Sequence, residues 1–168
     1  MPDRPGNTRV PTEGASTTVS QVIDASRENV YRAFLNPTAV ATWLPPDGMT
    51  GHVHRFDSRE GGEFRMSLTY QDTSTSPGGS GGKSTEDTDT HQGRFVELVP
   101  CEKIVETVEF ESDEPEFAGE MWIIVTLADV GCGTEVTYRC ENIPEGIRPE
   151  DNEAGCRSSL GKLAELLE

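Results

Sequence analysis

The chain has 168 residues, enough for one domain with a single core that buries roughly 70% of its unfolded surface. Thirty acidic residues against fourteen basic ones leave a formal charge of −16, which repels nucleic-acid phosphates and anionic lipid surfaces; neither is expected as a partner. No stretch approaches the roughly 18 consecutive apolar residues of a membrane helix.

Residues 1–16, rich in Pro, Gly and charge, read as a disordered arm without the apolar core of a secretory signal. Cys101, Cys132, Cys140 and Cys156 show neither a CxxC pair nor framework spacing, so reduced thiols in a cytoplasmic protein are expected.

Residues 17–25 carry a period-2 pattern through Val19 and Ile23, which predicts a first strand. Ser26 is then a helix N-cap, with Val30, Ala33 and Phe34 repeating at helical spacing until Pro37. A short second helix over 38–43 ends at Pro45-Pro46. A strand over 51–57 and a Glu60-Gly61-Gly62 turn lead into 63–70, where Phe64, Met66, Leu68 and Tyr70 alternate with polar residues. Residues 72–90, almost all Ser, Thr, Gly, Asp and Pro, are too poor in apolar groups to repay ordering and read as a long mobile loop.

Four more strands are predicted over 93–99, 103–110, 120–127 and 134–141, joined by the Pro100-Cys101 and Gly131-Cys132-Gly133 turns and by residues 111–119. The period then changes: Cys156, Leu160, Leu163, Ala164 and Leu167 make one apolar stripe of a helix. The result is an α+β chain of order β-α-α-β-meander-α, an antiparallel sheet whose apolar face the last helix covers.

This order, together with the words Ala25-Ser26-Arg27-Glu28-Asn29-Val30-Tyr31-Arg32-Ala33-Phe34, Trp43-Leu44-Pro45-Pro46, Asp57-Ser58-Arg59-Glu60-Gly61-Gly62-Glu63-Phe64-Arg65 and Gly93-Arg94-Phe95, resembles the START-like (SRPBCC) superfamily. Within it, residues 17–168 look like the branch named after the activator of heat-shock-protein ATPase. The resemblance implies a helix-grip fold, a curved antiparallel sheet around a long C-terminal helix with a cavity between them. In relatives such cavities serve lipid transport, hormone sensing, polyketide cyclisation or chaperone binding. This branch usually carries Gly-Trp near the start of the last helix, where this chain has Gly155-Cys156. The smaller side chain is expected to enlarge the pocket.

Candidate cavity residues are Trp43, His54, Phe64, Met66, Leu68, Glu106, Trp122, Cys156 and Leu160. The same pattern also describes ordinary core residues, because strand parity does not say which face is concave. Glu106 shares parity with Ile104 and Val108, which makes it a candidate inward carboxylate with a raised pKa; an edge or surface position satisfies the pattern too. His52 and His54 point to one face, yet His91, Cys101 or an acidic residue would have to complete a metal site, and none stands at a defining spacing. No metal or cofactor is therefore expected, and no catalytic residue is assigned: GxSxG and P-loop patterns are absent. The leading expectation is a monomeric or homodimeric module that encloses a small hydrophobic molecule. A cyclase- or hydratase-like enzyme using the same cavity and a chaperone-associated regulatory protein are the alternatives.

Overall fold

The structure is a computed structural model that describes residues 14–46, 48–70 and 88–168. The elements run β1 (Ala15–Ile23), α1 (Arg27–Leu35), α2 (Pro37–Trp43), β2 (Met49–Phe56), β3 (Glu63–Tyr70), β4 (Thr88–Val99), β5 (Lys103–Phe110), β6 (Met121–Val130), β7 (Gly133–Ile143) and α3 (Pro149–Leu167). One 3-10 turn, Pro115–Phe117, precedes β6.

The helix starts follow their caps. Ser26 Oγ accepts from the Asn29 N–H at 3.1 Å, and Asn36 Oδ1 accepts from the Thr38 and Ala39 N–H groups at 2.9 and 3.2 Å, with Pro37 in the first turn of α2. The turn before β3 needs glycine, because a Cβ on Gly62 would stand 2.0 Å from the Asp57 carbonyl oxygen.

The seven strands among the described residues form one antiparallel sheet in the order β1-β7-β6-β5-β4-β3-β2, so β1 and β2 are its two edges. Register shifts near Ala15–Thr17, Val53–Arg55 and Phe95–Glu97 mark irregularities of the kind that bend strands. One transverse row crosses five strands: Phe95 pairs with Glu106, Glu106 with Ile123, Ile123 with Cys140, and Cys140 with Thr17. Paired residues share a face, so this row belongs to the concave side, where Ile104, Val108, Val125, Val136 and Tyr138 are buried. The curved antiparallel sheet with its long C-terminal helix is the helix-grip arrangement that the sequence implies.

α3 lies over β1 and buries Ser159, Leu160, Leu163 and Ala164. α1 and α2 cover the rest of the concave face. Trp43 Nε1 donates to the Ala33 carbonyl at 2.9 Å, and the Phe34 and Trp43 rings meet edge to face at 4.7 Å. α3 in turn holds the end of α2, through Ser159 Oγ donating to the Leu44 carbonyl and Lys162 Nζ to the Pro45 carbonyl, both at 2.6 Å.

Two segments that the sequence reading leaves outside the strands belong to them. Thr88–Thr90, assigned to the mobile loop over 72–90, begin β4, because they pair with Thr69, Leu68 and Ser67 of β3. Residues 72–87 of that loop lie outside the described residues. Ala15 and Ser16, assigned to the arm, belong to β1, and residues 1–13 are likewise outside.

Candidate functional site

The concave face and the α1–α2 pair enclose a cavity lined by Phe34, Val40, Trp43, Leu44, Phe56, Phe64, Met66, His91, Phe95, Glu106 and Tyr138. It therefore lies beneath α1 and α2, and α3 contributes no side chain to it. Each wall has a local cause. Phe64 is aimed inward from β3, and its ring lies across Gly93, where a Cβ would meet Phe64 Cζ at 2.8 Å. Phe56, Phe64 and Phe95 form an aromatic cluster with ring centroids 5.2–6.3 Å apart. The cavity volume is about 30 Å³, room for one or two waters and far below the roughly 300–1,000 Å³ of ligand pockets.

Three polar groups interrupt the apolar lining. The Glu106 carboxyl makes no hydrogen bond or ion pair with any described residue, and burial pushes its pKa up to about 7. It lines the cavity between Phe95 and Ile123 of the neighbouring strands. Tyr138 is buried, with its ring stacked on Phe34 at 6.5 Å, and its phenol is held neutral far above the usual range by burial, then by Cys140, Cys156 and Glu106. His91 is buried between Phe64 and Phe110, ring centroids 6.2 and 6.3 Å away.

Trp43, Phe64, Met66 and Glu106 thus come together around one space. The other candidate residues are placed elsewhere. His54 is exposed on the outer side of β2, Nε2 2.7 Å from Ser67 Oγ, with its pKa lowered by burial, then by Arg65 and His52. Leu68 continues the Phe64–Met66 face one step past the cavity. Trp122, beside Thr107 and Glu141, takes the parity opposite to the concave row and faces away from it. Leu160 packs under α3 as core. Cys156 meets Cys140, Sγ to Sγ 4.0 Å, so the position expected to enlarge the pocket lies against a neighbouring thiol instead. Among the described residues no group of three His, Cys, Asp or Glu side chains is arranged to hold a metal ion.

Outside the cavity, an open groove of about 700 Å³ runs between α2 and the edge strand β2, lined by Pro37, Thr38, Ala41, Thr42, Gly51, Val53, His54, Arg55 and Phe56. Phe56 is the residue common to both walls.

The family model described as activator of Hsp90 ATPase homolog 1-like protein matches residues 24–168. The chain belongs to this family. Among solved structures, an activator of Hsp90 ATPase homolog 1-like chain such as this one is similar to a Chromobacterium violaceum protein at 35% identity and a TM-score of 0.79, over 91% of this chain and 96% of that one. A Rhodobacter sphaeroides protein shares the fold at 19% identity and a TM-score of 0.72, over 94% and 95% of the two chains. A protein of the dynemicin biosynthetic locus does so at 20% identity and a TM-score of 0.62, over 90% of this chain and 46% of that one. No curated protein matches the chain. Among the described residues no helix is long and apolar enough to cross a membrane.

Proposed function

We propose that this member of the family binds a small hydrophobic molecule that carries one polar group. The observation that carries the reading is Glu106, a carboxyl without a hydrogen-bonding partner that faces an aromatic cavity. A ligand that supplied a partner would give the carboxyl a hydrogen bond in apolar surroundings, worth about 0.5–1.5 kcal/mol net of the water it displaces. At neutral pH a large fraction of Glu106 is protonated, so the complementary group is a carbonyl or ether oxygen that accepts from the carboxyl. The aromatic walls suit a flat or ring-bearing body.

A cavity of about 30 Å³ must widen to admit such a molecule. The adjoining groove, which shares Phe56 with the cavity wall, supports a route through that side chain, whose rotation would leave the strand pairs intact. Native mass spectrometry of the freshly purified chain tests the proposal. A co-purifying small molecule, depleted in Glu106→Ala, is the expected result. No adduct, together with no uptake of the neutral apolar dye Nile red by wild type, would sink it.

A second reading, proton-transfer catalysis in the same cavity, has a specific observation in its favour. Glu106 titrates near neutrality and shares its lining with His91 and the neutral phenol of Tyr138, as general acid–base work requires. The two readings separate on the bound molecule: a binding protein returns it unchanged, whereas an enzyme converts it at a rate that Glu106→Gln abolishes.

A further inference from the structure

The transverse row that begins at Phe95 and Glu106 ends at Cys140 and Thr17, and there α3 places a second thiol over the sheet. Cys140 is 1% exposed, Cys156 is half-buried on the outer side of the pair, and the two sulfurs are 4.0 Å apart. Polar groups gather on them: Cys156 Sγ donates to Asn152 Oδ1 at 3.9 Å, and the Thr17 hydroxyl donates to the same oxygen. Cys101 and Cys132, by contrast, sit in the turns before β5 and β7.

We infer that Cys140 and Cys156 are a redox dithiol which hydrogen peroxide converts into an intrachain disulfide fastening α3 to β7. The sulfurs must close from van der Waals contact to about 2.05 Å, a movement within reach of side-chain rotation and a slight settling of the helix.

The chemistry balances on these two side chains and one peroxide. When the single Cys156 proton turns from Asn152 Oδ1 to Cys140 Sγ, that bond eases loss of the Cys140 proton against the opposing effect of burial and holds the proton on Cys156. The Cys140 thiolate attacks one peroxide oxygen, the O–O bond breaks, and the departing hydroxide takes up the proton as water, leaving a sulfenic acid. Cys156 sulfur then attacks that sulfur, the S–O bond breaks, and the hydroxide leaves with the Cys156 proton as a second water. The two thiols lose two electrons and the peroxide gains them.

The test uses the full chain, reduced, freed of reductant and exposed to a small excess of hydrogen peroxide, followed by non-reducing proteolysis and mass mapping. The expected product is a peptide pair joining Cys140 to Cys156, lighter by two hydrogens and reopened by dithiothreitol. In Cys156→Ser the joined pair disappears and Cys140 is instead trapped as a sulfenic acid by dimedone. A chain that resists peroxide, that oxidises first at Cys101 or Cys132, or that carries irreversible sulfinic acid at Cys156 with no joined pair would overturn the inference.

Discussion

Glu106 has only apolar neighbours in its row, and that isolation makes the stability of the fold depend on pH. Its folded pKa of about 7 lies above the unfolded carboxyl value, so folding favours the protonated form. The stabilising contribution is full below the unfolded pKa and is lost as pH rises through the folded one, by at most about 3 kcal/mol and by less where cavity water solvates the carboxylate. Glu106→Gln, which keeps the shape and stays neutral, should therefore be more stable than wild type at pH 8 and equal to it at pH 4. Urea unfolding at the two pH values measures the difference. At Phe56, truncation to Ala should raise Nile red uptake while lowering stability by about 1–3 kcal/mol; reduced uptake would make Phe56 part of the binding wall rather than the barrier. Glu106 was legible in the sequence because Ile104 and Val108 flank it at the same parity. Phe95 and Tyr138 are not singled out as cavity residues there, and His91 enters only as a possible third metal ligand. Parity groups residues by face, but only the cross-strand register, which depends on residues far apart in the chain, says which of them meet around one space.

The helices and most strands could be read locally. Val30, Ala33 and Phe34 repeat with the helical period behind an N-cap, and β3 alternates along its whole length. The start of β4 could not, because Thr88, Asp89 and Thr90 have the composition of a loop and become strand only by pairing with β3. The cavity's location beneath α1–α2 was hidden for a similar reason: both these helices and α3 show an apolar stripe, and nothing in periodicity assigns a stripe to one half of the sheet. The link between α3 and the end of α2 leads to a prediction about access. Ser159→Ala removes the donor to the Leu44 carbonyl and should cost about 1 kcal/mol. Because Leu44 and Trp43 line the cavity, it should also speed Nile red entry, which stopped-flow fluorescence reads; an unchanged entry rate would show that α2 does not move when the cavity opens.

Across the whole molecule, the chain carries a formal charge of −16, and like charges along it repel. Raising ionic strength from about 0.01 to about 0.1 M shortens the Debye length from about 30 to about 10 Å. The melting temperature should rise by several degrees over that interval, measurable by circular dichroism, and a fall would mean that attractive pairs such as Arg65–Glu111 outweigh the repulsion. The placement of β1 at the far edge from β2 acts on a different property, the timing of folding on the ribosome. β1 is made first among the strands, yet its sole partner in the sheet is β7, whose last residue, Ile143, is synthesised 120 residues after Ile23. Throughout that interval the strand has emerged without a template, and closing so long a loop is slow. Nascent chains arrested before residue 133 should therefore remain protease-sensitive at β1, however much of β2 to β6 has already assembled.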